Sequence, residues 1–429
     1  MSSPKSPQDA GNSSISSESS RHAPIPRMVW LIGVVMFCAN VAAVIVYAYS
    51  GVYLKEKLGL NSFIVGFIEG IAEGTSHLMK LVSGVLSDAF RRRKVLMLFG
   101  YGIIVVARYL LAFLSTFSIP VVLARILERI GNGIQAAPRG ALVGDISPPK
   151  RIGACYGLKR SLAMIGSFTG AVIATIIMHA TNDNYQILFA FTAIPTTIGF
   201  VLLCSKVKEP HSIKHAAVLS SIPSYAPKYR PTFNKANIKL LGRTFWKLMI
   251  VNFIFLLSRM GETFLAMYGR TAFSLDAKLL PTIFMVFNVS WALSSYPVGL
   301  IADRMNRYWL LCLGMGTLIL ADLVLSTAHS LPAFYFGIML WGIQSGTTQN
   351  IFLSLINEIV PENLRGTGMG VYWITCAIAA VICDSAIGKI VCIYDDSVRA
   401  AFVTSGFVSV LGLMSLIVVM GYKIKSSNK

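Results

Sequence analysis

Runs of roughly twenty apolar residues, separated by short polar segments, recur along almost the whole chain. Each run, wound as a helix rising about 1.5 Å per residue, is long enough to cross the ~30 Å hydrocarbon core of a bilayer. No stretch alternates with the period of two that a barrel strand requires. Inside lipid the backbone must satisfy its own N–H and C=O groups, which leaves the helix as the element these runs can form. The windows predict twelve spans. Six fall near residues 28–50, 62–86, 95–115, 119–143, 153–178 and 185–205, and six near 246–268, 279–302, 308–328, 332–357, 367–391 and 398–422. The expected fold class is an all-α membrane protein with twelve transmembrane helices.

The 429 residues are 55% hydrophobic and only 13% charged, too few polar side chains to cover a soluble domain. A net charge of +19 would suit a nucleic-acid binder if it formed one patch. The basic residues are instead dispersed among the segments between apolar runs, where they report topology, so no nucleic-acid partner is expected. One set of loops holds Arg91, Arg92, Arg93 and Lys94, then Lys150 and Arg151, Arg304 and Arg307, and Arg365. Segment 206–245 and the lysines at 423, 425 and 429 fall on the same side, while the other side holds few, such as Lys55, Lys57, Arg270, Lys278 and Arg399. An excess of Lys and Arg marks the cytoplasmic face, so both termini are expected there. Trp30, Trp246 and Trp309 stand at span starts on that face, as interfacial aromatics do.

The same pattern divides the chain. Residues 1–27 form a Ser-rich polar tail expected to be disordered and cytoplasmic. A first six-helix half, 28–205, is joined to a second, 246–422, by a basic, Pro-containing cytoplasmic linker, 206–245, with room for a short amphipathic helix near Asn237–Arg243. Residues 423–429 form a closing tail. Seven cysteines show no CxxC spacing and six histidines no HExxH, so no metal or cofactor is expected. No nucleophile motif and no Gly-rich phosphate loop appears, which argues against an enzyme and against an ATP-driven pump.

Two patterns repeat at a nearly fixed offset. Gly84-Val-Leu-Ser-Asp88 follows the second span and Gly299-Leu-Ile-Ala-Asp303 the eighth; the glycines lie 215 residues apart, as do the aspartates. Asp145-Ile-Ser-Pro148, with Gly153 and Gly157, follows the fourth span. Glu358-Ile-Val-Pro361, with Gly366 and Gly370, follows the tenth with the same internal spacings, 213 residues on. Two pairs at one topological position point to an internal duplication and hence to two pseudo-symmetric halves. Glycine at a span end permits close helix approach, and an acid followed by basic residues can pair charges across a short loop. Such loops are expected to latch one half against the other in one state.

At these residues the chain resembles the major facilitator superfamily, whose signature loop runs close to G-x-x-x-D-R-x-G-R-R. The first copy keeps Gly84, Asp88, Arg92 and Arg93, with Ala89 and Arg91 at the usual Arg and Gly positions. The second keeps Gly299, Asp303, Arg304 and Arg307, with Asn306 where glycine is usual. The stretches GFIEGIAEGTSHLMKLVSGVLSD and ARILERIGNGIQAAPRGALVGDISPP are similar to those of a widespread bacterial inner-membrane subgroup, with Asn132, Gln135 and Gly140 in place of its Lys, Arg and Asp. The resemblance implies a monomeric secondary transporter in the inner membrane, moving a small solute by alternating access, with protons as the expected coupling ion. The alternatives are an efflux permease for drugs or siderophore-like compounds and a non-transporting sensor. The exporter-associated G-x-x-x-G-P of the fifth span reads Gly166…Gly170-Ala171, without the proline, and a sensor's output domain would have to fit in the linker.

An ionisable group at the bilayer centre costs about 2.5–3.5 kcal/mol on insertion scales, so each needs a partner or a task. Glu69, Glu73, His77 and Lys80 share one face of the second span with Gly84, which fits either a proton relay or a paired structural stripe. The fourth span carries Arg125, Glu128 and Arg129, and the seventh Arg259 and Glu262. In the architecture the resemblance implies, spans 1, 4, 7 and 10 line the central cavity. Its candidates become Asn40, Tyr47, Arg125, Arg129, Arg259, Gln344, Gln349 and Asn350, with Glu262, Glu73 and Glu69 as proton-coupling acids. Arginine binds carboxylate or phosphate bidentately and so suggests an anionic substrate. The competing reading pairs Arg125 with Glu128 or Arg129, and Arg259 with Glu262, leaving no cation for a substrate.

Overall fold

The computed structural model describes residues 25–90, 92–148, 151–209, 238, 240–302, 305–361, 364–394 and 397–427. Residues 1–24 of the expected tail, residues 210–237 and 239 of the linker, and Asp303 and Arg304 lie outside these residues. Of the short helix expected near Asn237–Arg243, Gly242 and Arg243 belong to the next span's helix and 240–241 form a turn. The helices of the first half are α1 (Arg27–Glu56), α2 (Ser62–Phe90), α3 (Arg93–Leu114), α4 (Ser118–Ile146), α5 (Ile152–Ala180) and α6 (Tyr185–Ser205). Those of the second half are α7 (Gly242–Leu257), α8 (Thr263–Phe273), α9 (Leu280–Ala302), α10 (Arg307–Thr327), α11 (Leu331–Ile359), α12 (Arg365–Ile393) and α13 (Val398–Ser427). No strand occurs among the described residues.

Two differences from the predicted spans matter. The seventh span is two helices, α7 and α8, separated by Ser258–Glu262. The last helix runs to Ser427, past the expected end at 422. Among the described residues, eight helices are long and apolar enough to cross a membrane by length and composition alone, namely α1, α3, α5, α6, α10, α12, α13 and a stretch over α9. Absent from that set are α2 and α4, whose charged residues lower their hydropathy, the broken α7–α8 pair, and α11. Phe113, Ile119, Leu293, Phe407 and Val418 all stand exposed on the outside, where lipid rather than water solvates them.

Helix packing repeats between the halves. In the first, α1 packs on α5 and α6, α3 on α4 and α6, and α2 on α4. In the second, α7 packs on α12 and α13, α10 on α11 and α13, and α9 on α11. Every pair recurs at the same ordinal position, so the duplication seen in the loops extends to the whole helical framework. The halves meet through α2 against α12, α5 against α9, and α1 against α8.

These contacts close the face opposite the termini. Gly66 and Gly70 of α2 lie against α12, where a Cβ on Gly66 would run into the Asp384 carbonyl oxygen. A Cβ on Gly388 of α12 would lie 2.6 Å from the Ser62 carbonyl oxygen. Only residues without a side chain permit backbones this close. Arg270 at the end of α8 binds Glu56 at the end of α1 (2.8 Å), and Thr175 Oγ1 donates to the Lys278 carbonyl (3.0 Å). Deeper in, Lys80 lies over the ring of Trp373 and Arg160 over that of Trp291.

Candidate functional site

The buried charges of the first half form one network whose members come from α1, α2, α3 and α4. Spacings of three and four residues bring Glu69, Glu73, His77 and Lys80 to one face of α2, and Arg125, Glu128 and Arg129 to one region of α4. Arg125 is fully buried and grips Glu69 with two nitrogens: Nη2 to Oε2 at 2.5 Å and Nε to Oε1 at 3.1 Å. Its Nη1 reaches Glu128 Oε2 at 3.2 Å. Arg108 of α3 completes the layer, with Nη2 2.7 Å from Glu128 Oε1, and Ser50 Oγ donates to Glu69 (3.3 Å). Two guanidinium groups thus face two carboxylates, and the desolvation each charge suffers is offset by a partner.

A second, shallower layer lies beside it. Arg129 Nη1 pairs with Glu73 Oε2 at 2.6 Å and donates to the Tyr47 hydroxyl. The Tyr47 ring lies 4.4 Å from the Arg129 guanidinium carbon and 5.2 Å from that of Arg125. Glu73 continues to His77 Nε2 (3.5 Å), and His77 Nδ1 to Lys80 Nζ (3.2 Å). Glu73 retains 30% side-chain exposure and Arg129 12%, against none for Arg125, so this layer borders open space while the first is sealed.

The second half contributes the break in its first span. A helix interrupted inside a bundle frees backbone groups that must find partners locally. The Gly261 N–H donates to Asp384 Oδ1 of α12 at 2.6 Å, and Cys383 Sγ reaches the Leu257 carbonyl at 3.1 Å. Ser405 Oγ of α13 lies 2.5 Å from the Ser258 carbonyl oxygen and 2.6 Å from Asp322 Oδ2 of α10. Arg259, in the break, donates from Nη2 to Ser345 Oγ (3.0 Å); Ser345 donates to Gln344 Oε1 (3.2 Å), and Gln344 Nε2 to Thr348 Oγ1 (3.0 Å). Among the described residues no carboxylate lies within ion-pair distance of Arg259, and no cation within that distance of Glu262 or Asp384. Glu262 does lie in the field of Arg259 and, across the interface, of Arg129 and Glu73. The groups around Glu262 therefore come from both halves.

The sequence-derived candidates divide accordingly. Tyr47, Arg129, Glu73, Arg259 and Glu262 converge on this central region. Arg125 and Glu69 belong to the sealed layer. The expected pairing of Arg125 with Glu128 is present, whereas that of Arg259 with Glu262 is not among the described ion pairs. Asn40 is held inside the first half, its Nδ2 on the Met36 carbonyl (2.8 Å) and its Oδ1 accepting from Ser167 (3.4 Å). Gln344 is fully buried and reaches the break through Ser345. Gln349 is half-buried on α11, and the side chain of Asn350 lies outside the described residues.

Sequence reasoning missed the break and the groups that hold it, Asp384, Cys383 and Ser405. A glycine flanked by Arg259 and Glu262 in an otherwise apolar span was the available signal, together with a lone acid in the eleventh span.

In the signature loops, Arg93 pairs with Asp145 at the end of α4, and Arg307 with Glu358 at the end of α11 (2.9 Å). Both pairs lie within a half, so in this state they fasten loop to helix rather than half to half. Arg92 is exposed, Gly84 has room for a side chain beside Ala137, and the side chain of Asp88 and the surroundings of Gly299 lie outside the described residues.

Comparison with known proteins agrees with this architecture. A transporter of the MFS type from Methanocaldococcus jannaschii is 23% identical over 361 residues, covering 81% of this chain and 84% of its own. The gentisate transporter of Corynebacterium glutamicum is 23% identical over 302 residues, covering 69% and 66%. The crystal structure of the peptide transporter POT in complex with sulfate superposes with a TM-score of 0.72 at 14% identity, over 93% of this chain and 95% of that one. The model of the Major Facilitator Superfamily matches residues 29–383, and with twelve spans in two repeated halves the chain belongs to that superfamily of membrane transporters.

Proposed function

We propose that this transporter carries a small organic anion across the inner membrane, as a monomer with both termini cytoplasmic, and that the movement is coupled to protons. The observation that carries the reading is Arg259. It is a cation at a helix break in the middle of the bundle, bonded to a neutral hydroxyl and without a carboxylate at ion-pair distance among the described residues. Arg108 and Arg125, by contrast, are spent on Glu69 and Glu128. A guanidinium in a low-dielectric site binds a carboxylate or sulfonate strongly, and Arg129 on the opposing half could meet the same ligand. The likeness to a protein named for gentisate, a carboxylate, supports this chemistry.

Glu262 supplies a route to coupling. Its carboxylate and a substrate anion draw on the field of the same arginine, so a negative Glu262 opposes substrate binding and a protonated one does not. Glu69 and Glu73 fit the coupling role less well, since each already holds an arginine.

Proteoliposomes carrying an internal pH dye test the proposal while organic anions are added singly. Substrate-dependent proton entrance, lost in Glu262→Gln, with substrate binding lost in Arg259→Gln, is the expected result. Substrate movement without protons would remove the coupling claim. Neutral substrates moving while anions do not would remove the anion claim.

A further inference from the structure

Four cations of the first half lie outside the sealed network, and only Lys80, at the end of the Glu73–His77 string, touches the shallower layer. They are Lys80 on α2, Arg139 on α4, and Lys159 and Arg160 on α5. Lys80 lies in the field of Glu73 first and of Arg139 more weakly, Lys159 in that of Arg139 and Arg160, and Arg139 in that of Arg160, which ties the four together. Among the described residues no carboxylate stands within ion-pair distance of any of them. The Arg139 Nε is buried and has no hydrogen-bond partner.

Loop topology does not account for this cluster. Positive-inside residues such as Arg92 and Lys206 sit at helix ends and stand exposed; of the four, Arg160 is exposed as well, while Lys80, Arg139 and Lys159 are part-buried. At 1.5 Å per residue, these four lie about 10–15 Å inside the terminus-bearing ends of α2, α4 and α5. Cations gathered there repel one another, and the three part-buried ones lose some hydration, a cost that a bound anion would offset.

Two members are held by the opposite half. Lys80 Nζ is 5.0 Å from the Trp373 ring centre, and the Arg160 guanidinium 4.5 Å from that of Trp291. Ring faces attract cations without neutralising them, so they position charge while leaving it available to a ligand. From Lys80 the string His77, Glu73 and Arg129 leads directly to the central region.

We infer that Lys80, Arg139, Lys159 and Arg160 form a second anion site, between the terminus-bearing face and Arg259, that receives a small soluble carboxylate- or sulfate-like anion. This rests on the anion reading of the central region. The site draws anions in from that face and hands them along the Lys80–Arg129 string. Because Lys80 and Arg160 rest on rings of the other half, an anion there competes with two contacts that join the halves.

Equilibrium dialysis of radiolabelled sulfate against the purified full chain, in uncharged detergent at low ionic strength, tests it. Two sulfate equivalents are expected. Arg139→Gln/Lys159→Gln should weaken one of them at least tenfold, while the charge-preserving Arg139→Lys/Lys159→Arg stays within about threefold of the original chain. Arg259→Gln should remove the other equivalent alone, and the exposed-loop control Lys206→Gln/Lys208→Gln should lose neither. The second site is overturned if the double glutamine variant, shown monodisperse, binds both sulfates unchanged, or if the loop control loses as much. It is also overturned if Arg259→Gln removes all sulfate, or if short-chain phosphatidylglycerol displaces the vestibular sulfate. Arg259→Gln retaining both equivalents would instead sink the central reading and leave this cluster standing.

Discussion

Asp384 of α12 accepts the backbone N–H of Gly261 at 2.6 Å, so a side chain from one span satisfies the broken backbone of another. The same residue meets the first half as well. A Cβ on Gly70 would lie 3.2 Å from the Asp384 Cβ, and one on Gly66 would press on its carbonyl oxygen. Asp384 thus joins the break, which carries Arg259 and Glu262, to the surface where the halves meet. Any movement of α2 relative to α12 is felt at the break.

Removing that acceptor leaves a buried N–H unpaired. Asp384→Ala is expected to destabilise the fold by about 1–3 kcal/mol and to speed amide exchange around 259–264, while Asp384→Asn, which keeps a carbonyl oxygen, largely preserves both. Hydrogen exchange by mass spectrometry reads the difference. Equal protection in all three proteins would mean that the break is held by other contacts.

The two layers of the charge network should respond differently to mutation. Glu69→Gln leaves Arg125 buried with a weakened partner and is expected to cost about 3–5 kcal/mol, seen as a large drop in melting temperature in detergent. Glu73→Gln, in the partly open layer, should cost much less. Similar melting temperatures for the two variants would contradict the division.

Gly66→Ala wedges α2 away from α12 at the closed face. Overpacking of about 1–3 kcal/mol, charged only to the closed state, would shift the open-to-closed ratio by roughly one decade for each 1.4 kcal/mol. Spin labels at Lys57→Cys and Asp276→Cys in a cysteine-free background report the distance across that face. A longer population is expected, and an unchanged distribution would show that the closed state relaxes around the methyl group.

Arg307–Glu358 and Arg93–Asp145 occupy equivalent places in the two halves and sit near the surface. A double-mutant cycle on Arg307→Gln and Glu358→Gln should give a coupling of about 0.2–1 kcal/mol, as exposed pairs do. If the pair also latches the halves in another state, the single variants will change transport rate far more than melting temperature.

The apolar runs by themselves determined the class and the number of spans, because lipid admits few backbone solutions and the span length is set by the bilayer, and the repeated loop motifs determined the duplication. Asp145 and Glu358 could be matched across halves from spacing alone, whereas the 215-residue offset of the signature loop aligns Arg307 with Arg92, and only the ion pairs showed Arg93 to be its counterpart. Local spacing also brought Arg125 near Glu128 and Glu73 near His77, since neighbours three and four residues apart on a helix meet without help from the fold. Tertiary structure decided the rest. Whether Arg125 is sealed or open depends on Glu69 and Arg108, which arrive on other helices. The interruption at Ser258–Glu262 depends on Asp384, Cys383 and Ser405, which are more than a hundred residues away in the chain and satisfy what the broken helix leaves exposed. Sequence lists the charges a membrane protein must bury; only the packing of its helices says which are already neutralised and which remain for a substrate.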